Sequence, residues 1–349
     1  MAEGHGIQES EIISMVRIGQ IGLGAWGKNL LRNFYTQNGC RLVCAADPDE
    51  KGVVKLSPGY PGVELTTDVQ SVIDKSKIDA IIIATPPATH FQLAQAALEA
   101  GIDVFVEKPM VLDISQGERL VKLAREKGMI LMVGHIMEYH PATEFLKRII
   151  DGGELGNIYY LYSSRVNLGK VRDIENSLWS FAPHDVSMMN YLLGARPIRV
   201  SADGQSYLQN GIEDVAFITM HYPNKVMAHI HVSWLDPHKD RKLTIVGSKK
   251  MAVFNDTEPS EKIRIFDKGI DISQDYNTYG EYLSLRTGDI VIPNVPSGEP
   301  LKIECEHFIK SVVSRIQPRS NGEDGLSVLK ILDAAQKSLE QGGQPQLIQ

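Results

Sequence analysis

Cysteine is scarce. Cys40, Cys44 and Cys305 are the only three in 349 residues. They cannot build a disulfide framework, and their spacing offers no metal-ligand set. A reducing cytoplasm is therefore expected, with the thiols serving as small apolar core residues. Basic charge is also in deficit, with 36 Lys and Arg against 43 Asp and Glu, a formal net charge of −7. Without a basic excess or a long basic run, nucleic acid is excluded as a partner. No apolar run approaches the roughly 18 residues of a membrane span, so no membrane association is expected. Residues 1–14 lack the basic-then-apolar plan of a secretory signal, carry Glu3, Glu9 and Glu11, and read as a flexible tail with Met15 as an alternative start. Internal repeats and low-complexity tracts are absent too. What remains is an ordinary globular composition, 43% hydrophobic and 23% charged, with length enough for two domains at about 150 residues each.

The most informative stretch runs from Val16 to Gly27. An apolar strand leads into Gly22, Gly24 and Gly27 in G-x-G-x-x-G spacing, with Ala25 and Trp26 between the last two. Gly22 allows a tight turn, Gly24 lets a pyrophosphate approach the backbone, and Gly27 lets the helix pack on the strand. A second apolar run, Leu42 to Ala46, ends at Asp47, twenty residues beyond Gly27. An acid there is placed for an adenosine ribose, and its charge would repel the 2′-phosphate of NADP. The plainer alternative is a set of turn glycines and a surface Asp.

Short β-rich runs then alternate with helical stretches up to about Gly134. Strands are expected at Val16–Ile21, Leu42–Ala46, Ala80–Ala84, Val104–Val106 and Ile130–Val133. Helices are expected at Ala25–Asn38, Phe91–Ala100 and Ser115–Lys127, the last opened by a Ser115/Glu118 capping box and closed by Gly128. This is the rhythm of a doubly wound parallel (Rossmann) sheet over residues 15–135. From 136 to 349 the rhythm changes. His140–Gly152 and His184–Leu193 read as helices, and Asn157–Ser163 as a strand. Alternating segments at Val215–Tyr222, Val226–Leu235, Leu243–Val246, Met251–Phe254 and Ile263–Phe266 read as an open, mostly antiparallel sheet with one covered face. Ile292–Pro300 reads as a loop, and Glu304–Arg315 and Gly325–Glu340 as closing helices. The fold class is α/β, a Rossmann sheet plus a second α/β domain.

Four segments carry candidate chemistry. Ala84-Thr85-Pro86-Pro87-Ala88-Thr89-His90 ends a buried strand where open α/β sheets bind ligands. Its hydroxyls and His90 could reach a dinucleotide, or Thr89 could simply cap a helix. Glu107-Lys108-Pro109 follows the next strand. Lys108 is either solvated or partly desolvated and able to exchange protons near neutrality, held by Glu107. Ser180 and His184 are four apart and share a face if the turn is helical, which makes His184 an acid/base candidate. Alternatively, His184 and Asp185 are merely the first residues of a helix. The loop with Arg165, Asn167, Lys170 and Arg172 could bind an anionic or hydroxyl-rich substrate, as could Asn176, or be a solvated basic loop. His229 and His231 face one side of a strand without a third metal ligand, so no metal is expected. Met188 and Met189 read as core filling.

The combination of Gly22-x-Gly24-x-x-Gly27, Ala84-Thr85-Pro86-Pro87-x-x-His90, Glu107-Lys108-Pro109 and Pro183-His184-Asp185 resembles the Gfo/Idh/MocA oxidoreductase family, from Val16 to about Gly342. The resemblance implies a Rossmann domain, a second domain whose sheet builds a homodimer or homotetramer, and hydride transfer between NAD and a sugar or polyol carbon. It assigns catalysis to Lys108 and His184. Many members carry an Asp four residues before the His, where this chain has Ser180. Val232–Arg241, Val246–Met251, Gly288–Ile290 and Glu304–Phe308 are similar to the branch containing the UDP-N-acetylglucosamine and UDP-N-acetylglucosaminuronate 3-dehydrogenases.

The expectation is thus an NAD-dependent dehydrogenase of a nucleotide-linked amino sugar, acting at C3. Gly22, Gly24, Ala25, Trp26, Gly27, Asp47, Thr85, Pro86, His90, Glu107 and Lys108 would hold the cofactor. Arg165, Asn167, Lys170, Arg172, Ser180, His184 and Asp185 would face the substrate. The alternatives are a dehydrogenase of a free sugar, polyol or sugar phosphate, or a regulator that senses NAD(H) without turnover.

Overall fold

In the computed structural model, residues 15–272 and 283–348 are described. The expected tail, residues 1–14, lies outside them. Six strands form one parallel sheet: β1 (Val16–Ile21), β2 (Cys40–Ala46), β3 (Glu64–Thr66), β4 (Ala80–Ile83), β5 (Asp103–Glu107) and β6 (Leu131–Gly134). Their spatial order is β3-β2-β1-β4-β5-β6. Helices cover both faces, so the central strand β4, Ala80-Ile81-Ile82-Ile83, is apolar and wholly buried. The direction of winding reverses between β1 and β4, which opens a crevice at their carboxyl ends. Helices α1 (Gly27–Thr36), α2 (Glu50–Leu56), α3 (His90–Glu99) and α4 (Ile114–Lys127) connect the strands.

After α5 (Pro141–Asp151) comes a nine-stranded sheet. Its strands are β7 (Ile158–Val166), β8 (Arg199–Gln205), β9 (Val215–His221), β10 (Met227–Ser233), β11 (Asp240–Gly247), β12 (Met251–Asn255), β13 (Ile263–Ile272), β14 (Leu283–Val291) and β15 (Gln346–Leu347). The order is β14-β13-β12-β11-β7-β10-β9-β8-β15, antiparallel except for the parallel pair β7 and β10. Its inner face packs on α5 and α6 (Ser177–Leu193) through residues such as Leu161, Ile218, Ile230, Leu146 and Met189. Met188 and Met189 both lie in this core.

Two C-terminal helices tie the halves together. Helix α7 (Pro300–Ser314) packs on α1, where Phe308 meets Phe34 and Phe105 edge-to-face at centroid distances of 6.3 and 5.6 Å. Burial of each such ring contributes about 1.5–3 kcal/mol. Helix α8 (Gly322–Glu340) gives Leu326 and Leu329 to the first core, and Val328, Ile331 and Leu332 to the second. The three thiols are free and buried.

Several local expectations need correction. The capping box at Ser115 does not form. Asp113 is the N-cap of α4 and accepts from Gln116 N at 3.0 Å, while Glu118 pairs with Lys330 at 2.8 Å. Helix α6 starts at Ser177, seven residues before His184. Asn176 caps it by accepting from Trp179 N at 3.1 Å, and Pro183 lies inside. The expected start at His184 fails because Pro183 is tolerated inside the helix, in its second turn. Helix α7 begins at Pro300 rather than Glu304. The short elements α2, β3 and β15 carry too few residues for a periodic signal, and β8 and β14 also went unread.

Candidate active site

The crevice is shaped by the glycine turn. Gly22 has φ +98°, and a Cβ there would sit 2.3 Å from the Ala84 carbonyl oxygen. A Cβ on Gly27 would meet the Gly22 carbonyl oxygen at 2.2 Å. Gly24 is different: an added Cβ would meet nothing within 4 Å. That open space above an exposed backbone, at the start of α1, is where a pyrophosphate can lie against helix N–H groups. Gln20, fully buried, donates to the carbonyls of Gly22 and Gly27 at 2.9 and 2.8 Å and fixes the turn. Asp47 accepts from Leu23 N at 2.7 Å and from Asp49 N at 2.9 Å, which orients its carboxylate at the crevice rim. These residues fit a dinucleotide: a cradle without side chains, an anion-binding helix start and an oriented acid.

The ends of β4 and β5 form the next wall. Thr85 Oγ1 and Thr89 Oγ1 share a hydrogen bond of 2.7 Å. His90 is not free to reach a ligand. It is fully buried, with Nδ1 on the Pro109 carbonyl at 2.8 Å and Nε2 on the Thr85 carbonyl at 2.9 Å. It braces the two loops against each other. Glu107 pairs with Gly134 on β6, and a Cβ on Gly134 would lie 2.9 Å from Glu107 Oε1, so the glycine leaves room for that carboxyl. Trp26, exposed in the glycine turn, reaches across and donates from Nε1 to Glu107 Oε1 at 2.5 Å. Burial pushes the Glu107 carboxyl up to about 7, against the lowering by Trp26 and Lys108.

Lys108 and His184 come from different domains. Lys108 Nζ donates to the Ser180 carbonyl at 3.1 Å, one turn before His184 on α6. Desolvation holds the Lys108 ammonium below its ordinary value. Glu175 and Glu107 oppose that lowering, while Arg172 and Arg165 add to it. His184 is held well below its ordinary value by burial, then by the charges of Lys108, Arg165, His135 and Arg241. Burial thus moves the Lys108 ammonium toward neutral pH and keeps the His184 ring neutral, with a nitrogen lone pair able to accept a proton.

The basic loop is divided in its partners. Arg165 is buried and bound to Asp185 at 2.6 Å, so each satisfies the other. Arg172 is exposed and pairs with Glu175 at 3.1 Å, and Lys170 is exposed. The Asn167 amide folds over Gly169, whose added Cβ would lie 2.0 Å from Nδ2. Asn176, besides capping α6, donates to Glu213 and Gln336. His229 and His231 lie on the outer sheet face, where Phe217 stacks on them at 6.2 and 4.5 Å. No cluster of three or more metal-binding side chains occurs among the described residues.

Two residues at this site were not read from the sequence. His135, directly after β6, is 1% exposed beside Lys108, and neither ring nitrogen has a partner. Arg241 opposes Arg165 across the β11–β7 pair, with a buried, unpaired Nε. A separate cavity of about 350 Å³ lies between α5, α6 and α8, lined by Glu138, Tyr191 and Arg319 among others. Its cations are committed: Arg319 to Glu144, Arg196 to Asp324 and Lys147 to Asp151. Neither Lys108 nor His184 lines it.

Comparison with known proteins decides the family. Residues 16–135 match the oxidoreductase family model with the NAD-binding Rossmann fold, and residues 143–253 match the GFO/IDH/MocA C-terminal domain. The chain belongs to the Gfo/Idh/MocA oxidoreductase family. It is an NAD-dependent oxidoreductase acting on CH–OH groups, and its first domain binds NAD(H). It is 29% identical over 348 residues to scyllo-inositol 2-dehydrogenase (NAD(+)) of Bacillus subtilis, covering 95% of this chain and 96% of that protein. It is 26% identical over 267 residues to UDP-N-acetylglucosamine 3-dehydrogenase of Acidithiobacillus ferrooxidans, covering 73% and 76%. A match at 26% identity to 2,7-anhydro-N-acetylneuraminate hydratase of Mediterraneibacter gnavus covers 58% of this chain and 57% of that protein. In fold, a solved structure of the Acidithiobacillus enzyme superposes with a TM-score of 0.78 at 23% identity, covering 94% of this chain and 99% of that one. No helix among the described residues is long and apolar enough to cross a membrane.

Proposed function

We propose that the chain oxidises a hydroxyl, at C3, of a nucleotide-linked amino sugar. The observation that carries the dehydrogenase chemistry is the joining of Lys108 to the α6 turn that holds His184, at 3.1 Å, beside the glycine turn. NAD, when bound, supplies the hydride acceptor. Gly22, Gly24, Ala25, Trp26 and Gly27 would cradle its pyrophosphate, Asp47 its ribose, and Thr85, Pro86, Glu107 and Lys108 its nicotinamide end. Lys108 and His184 flank the substrate hydroxyl, remove its proton and stabilise the developing alkoxide. His90 supports this wall through Thr85 and Pro109.

The nucleotide part of the substrate falls to the loop. Arg172 and Lys170 are exposed and would meet a second pyrophosphate, the paired Arg165 and Asp185 would stiffen the floor, and Asn167 and Ser180 would face the sugar. Residues 15–135 serve the cofactor, and 136–349 serve substrate binding and assembly. The outer sheet face presents Tyr160, Tyr162, Phe217 and Met227, each more than a third exposed, and a second copy of the chain would cover it as a homodimer or homotetramer. The free, buried thiols suit a cytoplasmic protein.

A second reading has its own support: the 29% identity over nearly the whole chain to a scyllo-inositol dehydrogenase favours a free polyol. The deciding experiment compares UDP-N-acetylglucosamine with scyllo-inositol as the reductant of NAD. Turnover of scyllo-inositol alone would remove the nucleotide and leave the Lys108 and His184 roles in place.

A further inference from the structure

His135, at the carboxyl edge of the parallel sheet, and His184 on α6 both keep buried ring nitrogens without hydrogen-bond partners. Both ring nitrogens of His135 are buried and unpaired, and so is His184 Nδ1. Leaving buried donors or acceptors unpaired is costly. His90, equally buried, shows the usual solution, with both nitrogens on carbonyls.

The backbone holds the two rings in place. β6 pairs with β5 through Glu107 and Gly134, so His135 and Lys108 are the next residues on adjacent strand ends. His135 N donates to the Val133 carbonyl at 2.7 Å, and its carbonyl accepts from Glu138 N at 3.0 Å. Tyr139, ending the same turn, bonds Ser320 at 2.9 Å. On the other side, Lys108 touches the Ser180 carbonyl, which in a helix faces the N–H of residue 184.

The titratable groups around His184 come from every side: Lys108 at the end of β5, Arg165 on β7, Arg241 on β11, and His135 after β6. Asp185 on α6 is taken up by Arg165. Burial disfavours a charge on either ring, and the guanidinium groups of Arg165 and Arg241 add to this at His184, so both rings are neutral, each with one N–H and one free nitrogen. A free nitrogen facing the other ring's N–H satisfies both.

We propose that His135 is a positioning residue that links Lys108 and His184 into one proton-transfer chain, closed by ring rotation or one bridging water. His184 Nδ1–H donates to one nitrogen of His135, and the other nitrogen of His135 donates to the free amine of Lys108. His184 Nε2 is left with its lone pair toward the substrate hydroxyl. On oxidation the hydroxyl proton moves to Nε2, the Nδ1 proton to His135, and the His135 proton to Lys108, which ends as an ammonium. One O–H bond breaks, one net N–H bond forms, and the hydride leaves the same carbon for the nicotinamide, so alcohol becomes ketone. The chain rests on the acid/base roles given above to Lys108 and His184.

The first test needs no substrate. Full-length protein with ¹⁵N-labelled histidine is titrated by NMR as wild type and as His135→Phe, following the ring nitrogens of His184. Wild-type His184 should keep its proton on Nδ1, and His135→Phe should mix its tautomers and move its midpoint. An unchanged tautomer and midpoint overturn the chain, whatever the substrate proves to be. The second test follows NADH formation from UDP-N-acetylglucosamine and from scyllo-inositol. His135→Phe should lower kcat at least roughly tenfold with little change in KM, and should turn a curved dependence of kcat on D₂O fraction into a straight one. If His135→Phe does not fold, His135→Gln serves for both tests. Its amide can hold His184 but cannot pass a proton, so the tautomer should survive while kcat falls, and a wild-type kcat would overturn the chain. A locked tautomer that His135→Phe releases, without turnover of either compound, would support the chain and count against the proposed substrates.

Discussion

Lys108 donates to the backbone carbonyl of Ser180 at 3.1 Å, and so ties a Rossmann strand end to the helix that carries His184. Because the acceptor is a main-chain atom, the link does not depend on which side chain stands at 180. Lys108→Ala should therefore lower kcat by on the order of 10²- to 10⁴-fold while NAD affinity stays near wild type. Turnover by absorbance and NAD binding by calorimetry check the two halves. Unimpaired turnover would remove Lys108 from the acid/base pair.

The glycine turn separates folding from binding. Gly27→Ala forces a Cβ to within 2.2 Å of a carbonyl oxygen and should cost roughly 1–3 kcal/mol or more of stability. Gly24→Ala meets nothing in the protein, so its melting temperature should match wild type while its NAD affinity falls. Thermal melts with and without NAD distinguish the two.

Asp47 is oriented by Leu23 N and Asp49 N. Asp47→Ser should remove the repulsion of a 2′-phosphate and narrow the preference for NAD over NADP at least roughly tenfold, read as the ratio of kcat/KM values. Equal use of the two cofactors by the wild type would sink the argument.

The pH dependence of stability has a definite sign. Burial raises Glu107 to about 7, so the folded state holds that proton more tightly than the unfolded chain. Its stabilising effect is complete below about 4.5 and is lost as pH rises through 7. Burial and then Lys108 lower His135 to about 3, so its contribution is present above 6.5 and is lost as pH falls. Glu107→Gln should gain in melting temperature relative to wild type between pH 5 and pH 8. A constant difference would show that Glu107 does not titrate there.

Much of the first domain was legible because its signals are local: the three glycines, Asp47 and Glu107-Lys108-Pro109 each follow an apolar strand directly. The start of α6 was not, because Pro183 looks like a helix start and the true cap, Asn176, has no distinctive spacing. The commitment of Arg165 to Asp185 depends on β7 meeting α6, which pattern alone does not reveal. His135 was missed because a lone His carries no motif. The available signal was its place after Val133-Gly134, at a strand end next to that of Lys108.

The most direct measurement mixes purified protein and its Lys108→Ala form with NAD and UDP-N-acetylglucosamine, and follows NADH absorbance. NADH formed by the wild type and lost in Lys108→Ala is the predicted result. NADH formed from scyllo-inositol alone, or formed equally by both proteins, would contradict the proposal.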